Sequence, residues 1–173
     1  GNIAHKTPTT ATIETNGIGY KIHIPLSTFE KISNKESTKL FTKLTIRDDE
    51  IKIYGFFSLE ERNLFNLLLS VNGVGSNVAL TILSSSSISQ FGSYVVSNDS
   101  KSLQRIKGIG KKTSERIILE LKETIKCILP DSKSSTDTKN TAIISDAVMA
   151  MISLGYAKPE AEKAVNKASD NVD

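Results

Sequence analysis

The spacing of apolar residues changes at residue 58, and two kinds of structure follow from that change. Between residues 9 and 56, "ATIET", "YKIHI", "KLFTKLTI" and "EIKIYGF" alternate or mix β-branched and aromatic residues with polar ones. Each reads as a short strand. "NGIG" at 16–19 joins the first two through a turn that needs positive φ, a role assigned here to Gly17 and Gly19. "RDDE" at 47–50 joins the last two. Several short antiparallel strands in so small a span predict a small barrel of OB type. Tyr20, Phe41 and Tyr54 fall in its alternating pattern as core.

From Ser58 onward the period is helical. "SLEERNLFNLLLSV" sets Ser58 as N-cap with Glu61 three residues on, a capping box, and Leu64, Leu67, Leu68 and Val71 follow at helical spacing. Helical patterns continue through 76–83, 88–97, 101–106 and 111–128, and Pro130 stops the last. "PDSKSSTDTKN" at 130–140 has nothing apolar to bury and reads as a flexible linker. Beyond it, "TAIISDAVMAMISLGY" and "PEAEKAVNKAS" form two amphipathic helices, which barely make a core. This module is expected to lack a third helix or to be ordered by a partner. The chain therefore reads as a multi-domain α+β protein. A barrel spans 1–57, a helical domain 58–129, a linker 130–140 and a C-terminal helical module 141–173.

Composition narrows the chemistry. At 173 residues the chain suffices for one ordinary domain or two to three small ones, and at 38% hydrophobic without Trp it can build cores, though not large ones. It holds no apolar run of about 18 residues that would cross a membrane, and its start does not resemble a cleavable signal. It begins without Met in strand-like sequence, so a short preceding piece is expected. The single Cys127 excludes an internal disulfide and a cysteine metal cluster. His5 and His23 are the only histidines and both lie near the N-terminus, which argues against a histidine-based metal or hydrolytic site. The expectation is a cytoplasmic protein with no metal and no cofactor. Net charge is only +3, but the bases gather in one segment: Lys101, Arg105, Lys107, Lys111, Lys112, Arg116, Lys122 and Lys126 stand against Glu115, Glu120 and Glu123. A basic helix is commonly a solvated face. Lysines beside exposed amides at a helix start are another matter.

Those lysines sit in "GIGKKT", which resembles the end of a nucleotide-binding loop. A P-loop needs Gly-x-x-x-x-Gly-Lys-Ser/Thr. Here Arg105 stands where the first glycine belongs, Lys112 replaces the magnesium-binding hydroxyl, and the preceding "SLQRIK" is not a buried strand. The nucleotide reading fails. What the chain has instead is a repeat: "LLSVNGVGSNVALTIL" (68–83) matches "LQRIKGIGKKTSERII" (103–118). Gly73 and Gly75 pair with Gly108 and Gly110, and Val71 and Val74 pair with Ile106 and Ile109. In each copy a helix ends, glycines turn the chain, Val74 or Ile109 plugs the turn into the core, and a second helix begins. Its first N–H groups are left unpaired at the positive end of the helix dipole. Such a site takes a phosphate oxygen without reading a base. Two helix-hairpin-helix motifs can thus hold a nucleic acid backbone through Asn72, Gly73, Val74, Gly75, Ser76 and Asn77 in the first. The second offers Gly108, Ile109, Gly110, Lys111, Lys112 and Arg116, and its lysines should make it the stronger grip.

A small barrel, tandem helix-hairpin-helix motifs, a polar linker and a helical C-terminal module together resemble the RuvA family, the Holliday-junction-binding proteins of bacterial recombination. The resemblance rests on "NGIGYKIHIP", "YGFFSLEERNLFNLLLSVNGVGSNVALTIL", "LQRIKGIGKKTSERIILELK" and "LGYAKPEAEKAV", and covers nearly the whole chain. It implies a homotetramer, or two clasping one junction, that holds four-way-junction DNA open and flat in recombination, repair and the SOS response. It also implies that the C-terminal module recruits the hexameric AAA+ motor RuvB, with an apolar patch at Met151, Leu154 and Tyr156; their helical spacing equally suits core. By the same resemblance, Asp48 and Asp49 match an acidic pin at the junction centre, where carboxylates repel phosphates. Otherwise "DDE" is a solvated hairpin turn. The family's usual basic residue in the first hairpin is replaced by Ser76-Asn77, so that contact should be weaker.

Enzymes and other nucleic-acid binders also carry such motifs. A glycosylase would need a catalytic Asp or Lys after the motif, facing a base-flipping pocket, but a regular helix and a linker follow Gly110. A nuclease would need clustered carboxylates, and Asp48-Asp49-Glu50 has no evident partner acids. A single-strand binder would use stacking aromatics on the barrel, where Tyr20, Phe41 and Tyr54 read as core. A generic duplex-binding repair protein remains the nearest alternative.

Overall fold

The structure, a computed structural model, describes residues 1–47 and 50–128, with helical positions at 147, 148, 150, 151, 160, 163–165 and 168. The barrel begins with two antiparallel hairpins. Strand β1 (Asn2–Thr7) pairs with β2 (Thr10–Thr15), and β2 with β3 (Ile18–His23). Asn16 and Gly17 turn the second hairpin with φ of 52° and 78°, the left-handed pair that a two-residue hairpin favours. Gly19, expected to share that role, sits instead in β3 opposite Glu14. Asn tolerates left-handed backbone, so the turn needs no second glycine.

Strands β4 (Phe41–Arg47) and β5 (Glu50–Phe56) pair antiparallel, and β3 joins β5 in parallel through Ile22–Ile53 and His23–Tyr54. The order is β1-β2-β3-β5-β4. The segment leading into β4 covers the free edge of β1: Ile3 N–H donates to Glu36 O at 2.7 Å, and Thr38 N–H to Gly1 O at 3.0 Å. This is the expected OB-type barrel, closed by a short bridge. Ala11, Ile13, Ile22, Ile24 and Ile32 fill it.

Within the span read as strands lies a helix, α1 (Leu26–Ile32). Pro25 precedes it with φ −74°, already set for a helix start, where the missing N–H costs nothing. At seven residues it is too short for periodicity to announce. Tyr20 also departs from expectation. It is 42% exposed rather than core, while Tyr54 is buried.

The helical part runs α2 (Leu59–Ser70), α3 (Ser76–Ser85), α4 (Ile88–Val96), α5 (Ser100–Gln104) and α6 (Lys111–Ile128). Ser58 caps α2 as expected, its hydroxyl accepting Glu61 N–H at 3.3 Å. The second half of the capping box does not form as expected, because the Glu61 carboxylate turns towards the barrel. It accepts from the Thr28 hydroxyl at 3.0 Å, Phe57 N–H at 3.1 Å and the Lys31 ammonium at 3.3 Å. Barrel and helices are joined a second time through apolar contact. Tyr54 and Phe56 of β5 stack on Phe65 of α2 with ring centroids 5.0 and 4.8 Å apart, and both belong to the helical core with Leu68, Phe91, Leu103 and Ile117. Residues Gly1–Pro130 form one compact unit, and Asp131–Asp173 another.

Candidate nucleic-acid interface

The sequence repeat becomes a structural repeat, bond for bond. In the first hairpin Val71 N–H donates to Leu68 O (3.2 Å) and Val74 N–H to Val71 O (3.0 Å). In the second, Ile106 N–H donates to Leu103 O and Ile109 N–H to Ile106 O, both at 3.1 Å. The first glycine of each copy carries the positive φ, 91° at Gly73 and 93° at Gly108. The second glycine does not: Gly75 is the N-cap of α3 with ordinary extended backbone, φ −91° and ψ 172°. The expectation that the glycines as a pair take unusual angles thus holds for one in each copy. Val74 and Ile109 are the plugs, 6% and 5% exposed, and both join the helical core.

The helix starts are open. No side chain caps α3, and its first i→i−4 bond runs from Ala79 N–H to Gly75 O at 2.9 Å. The same bond at α6 runs from Ser114 N–H to Gly110 O, also at 2.9 Å. The amides of Ser76, Asn77 and Val78, and of Lys111, Lys112 and Thr113, precede those bonds as the donors a helix start leaves over. Asn72, Gly73, Gly75, Asn77, Gly108, Gly110, Lys111 and Lys112 are exposed, and Ser76 is half-buried. The two starts therefore present amides to solvent, the second with two ammonium groups at its first turn.

Arg116 has a task within the protein. Its Nη1 donates to Asn72 O at 3.1 Å, and its Nε lies 3.7 Å from Glu120 Oε1. The guanidinium ties the second hairpin's helix to the first hairpin's turn and keeps further N–H groups free to donate. Packing adds to the tie, since the space beside Gly108 is bounded by Val78 Cγ2 of α3.

Asp48 and Asp49 lie outside the described residues, as do Leu154 and Tyr156. Met151 is described, at a half-buried helical position. Among the described residues, no His, Cys, Asp or Glu cluster could hold a metal ion, and no helix is long and apolar enough to cross a membrane.

Sequence reasoning missed the barrel's share of the surface. Thr45, Glu50, Lys52 and Tyr54 line a cleft of about 240 Å³ together with Gly75, Ser76, Asn77 and Val78. Lys52 pairs with Glu50 at 2.8 Å, and that bond holds its ammonium above the usual lysine range. His23 is held below its ordinary value, chiefly by burial and then by the charges of Lys21 and Lys52. Alternation along β5 marks Lys52 as facing away from the barrel interior, but nothing local says that α3 starts there.

Comparison with known families matches the chain in three parts, two of them inside the compact unit Gly1–Pro130. Residues 1–55 match the RuvA N terminal domain, 65–123 a SAM-like helix-hairpin-helix tandem, and 142–173 the RuvA C-terminal domain. Three similar proteins share the name Holliday junction branch migration complex subunit RuvA. That of Clostridium tetani is 44% identical over 158 residues, covering 89% of this chain and 80% of its own. That of Clostridium botulinum is 43% identical over 163 residues, covering 92% and 83%. That of Azobacteroides pseudotrichonymphae is 39% identical over 175 residues, covering 99% and 88%. With all three parts matched in order and relatives alike along nearly their full length, the chain belongs to the RuvA family.

Proposed function

We propose that this protein is the junction-binding subunit of a Holliday junction branch migration complex. Two open helix starts grip DNA backbones through Asn72 to Asn77 and through Gly108 to Lys112, with Arg116 set between them. The observation that carries this reading is the matched pair of uncapped helix starts, their amides facing solvent and Lys111 and Lys112 flanking the second. Contacts of this kind neutralise phosphates and read no base, so recognition rests on the shape of the junction. Asp48 and Asp49, placed by four subunits at the crossover, disfavour continuous duplex there.

The protein performs no chemistry of its own and needs no cofactor. ATP hydrolysis belongs to the RuvB motor, recruited by the helical module at 141–173 through Met151, Leu154 and Tyr156 and tethered by residues 130–140. The working form is a cytoplasmic homotetramer, alone or in pairs. Barrel and hairpin domains at 1–57 and 58–129 form the DNA-holding platform.

A gel-shift competition between an immobile four-way junction and a linear duplex of matched length, at moderate salt, tests the reading. A strong preference for the junction is expected. Equal binding would leave a generic backbone-binding protein and remove the function proposed for the pin.

A further inference from the structure

The first hairpin lacks charge of its own, since Ser76 and Asn77 stand where the second has Lys111 and Lys112. The barrel supplies a replacement. On β5, Tyr54 packs against Phe65 of α2, so the face bearing Tyr54 is turned towards the helices. Lys52 lies two residues back along the strand, on the same face. It lines one cleft with Gly75, Ser76 and Asn77, the residues that open α3. Its side chain keeps 41% of its exposure.

Neighbouring strands extend the positive strip. Thr45 of β4 pairs directly with Lys52, and Lys43 with Tyr54, which puts Lys43 on the same face. Lys21 of β3 lies one step before the Ile22–Ile53 pair, and its charge and that of Lys52 both act on His23. Lys52 pairs with Glu50, itself 68% exposed. An exposed ion pair of this kind contributes little, so an arriving phosphate can take Lys52 from Glu50.

We propose that Lys52 is a DNA-backbone contact that completes the first hairpin: the barrel strand lends the cation that the hairpin's own helix lacks. The proposal rests on the hairpins being the DNA grip. A phosphate seated on the Ser76 and Asn77 amides meets the ammonium of Lys52 across the cleft, with Lys21 and Lys43 farther along the path of the same strand. The two hairpins then hold their backbones by the same chemistry, amides plus lysine, with the lysine coming from different domains.

The test is junction binding by the full chain as a function of salt, for the unmodified protein, Lys52→Ala, the Lys111→Ala/Lys112→Ala pair, and Lys52→Ala combined with Asn77→Lys. Losing one phosphate contact lowers the slope of log affinity against log salt by about one. Lys52→Ala is expected to bind several-fold more weakly at low salt, with that reduced slope and an unchanged melting temperature. Asn77→Lys should restore both affinity and slope. If Lys52→Ala binds like the unmodified protein while the Lys111/Lys112 pair loses affinity, the proposal fails and the hairpin reading stands. If neither variant loses affinity, both fail. Weaker binding with an unchanged slope and no rescue would make Lys52 a structural residue and overturn the proposal.

Discussion

At Gly75 and Gly110 the space that a Cβ would enter is empty, so packing requires neither glycine. Gly73 and Gly108 differ in that their positive φ makes any side chain strained, by about 1–2 kcal/mol. Substitution should separate the two kinds. Gly73→Ala or Gly108→Ala should lower the melting temperature. Gly75→Ser or Gly110→Ser should leave it unchanged or raise it slightly, since serine is a better N-cap than glycine by a few tenths of a kcal/mol. The same hydroxyl occupies the amides a phosphate would use, so the serine variants should bind junction DNA more weakly. Thermal melts beside gel shifts read both effects. The sequence shows four similar glycines, and only the backbone angles sort them. His23 offers a second test at this scale. Its folded pKa lies below the ordinary value, so the unfolded chain takes up a proton that the folded one resists. The stability it contributes is full above its unfolded pKa of about 6.5 and is lost as pH falls through the folded value. Melting temperature should therefore drop between pH 7.5 and 5.5, and His23→Gln should flatten part of that drop.

Among the elements, the helix-hairpin-helix pair could be read from the sequence because its signal is local, with glycines and plugs a fixed few residues apart. The joints between elements were hidden for the opposite reason. Glu61 reaches Thr28 across 33 positions and Arg116 reaches Asn72 across 44. The local pattern gave Glu61 a capping-box role, and tertiary partners took its carboxylate away. Removing it should be costly. Glu61→Ala leaves the buried Thr28 hydroxyl without its acceptor and the Lys31 ammonium without its partner, while Phe57 N–H keeps the Thr28 oxygen, a loss of about 1–3 kcal/mol. Urea unfolding should show a lower midpoint with an unchanged slope. Arg116→Ala should instead leave stability nearly intact, Arg116 being exposed. Because it removes the polar tie between the two hairpins and leaves only their shared packing, it should weaken binding to the junction more than binding to a short duplex that one hairpin can hold.

For the whole molecule, composition and the change of period at Ser58 predicted a barrel followed by helices, and the family match covers both parts and the C-terminal module. What composition could not show is how fully barrel and hairpins share a core, because the side chains responsible, Tyr54 and Phe56, read locally as barrel strand. Two expectations belong here. Deleting residues 130–173 should spare junction binding and abolish stimulation of the motor's ATPase; retained stimulation would move the partner site elsewhere. Replacing Asp48 and Asp49 with Asn should leave junction binding intact or tighter while eroding its preference over duplex in competition.

The joint between barrel and helices also has a mechanical meaning. If a motor draws duplex across the hairpins, the drag acts on a helical domain whose α2 is anchored to the barrel by Glu61 and by the rings of Tyr54, Phe56 and Phe65, while Arg116 ties one hairpin to the other. Force entering at one helix is then shared with the barrel instead of bending a hinge between two domains. Pulled from its ends in an optical trap, the segment 1–130 should give way in a single step, and Glu61→Ala should split that step in two.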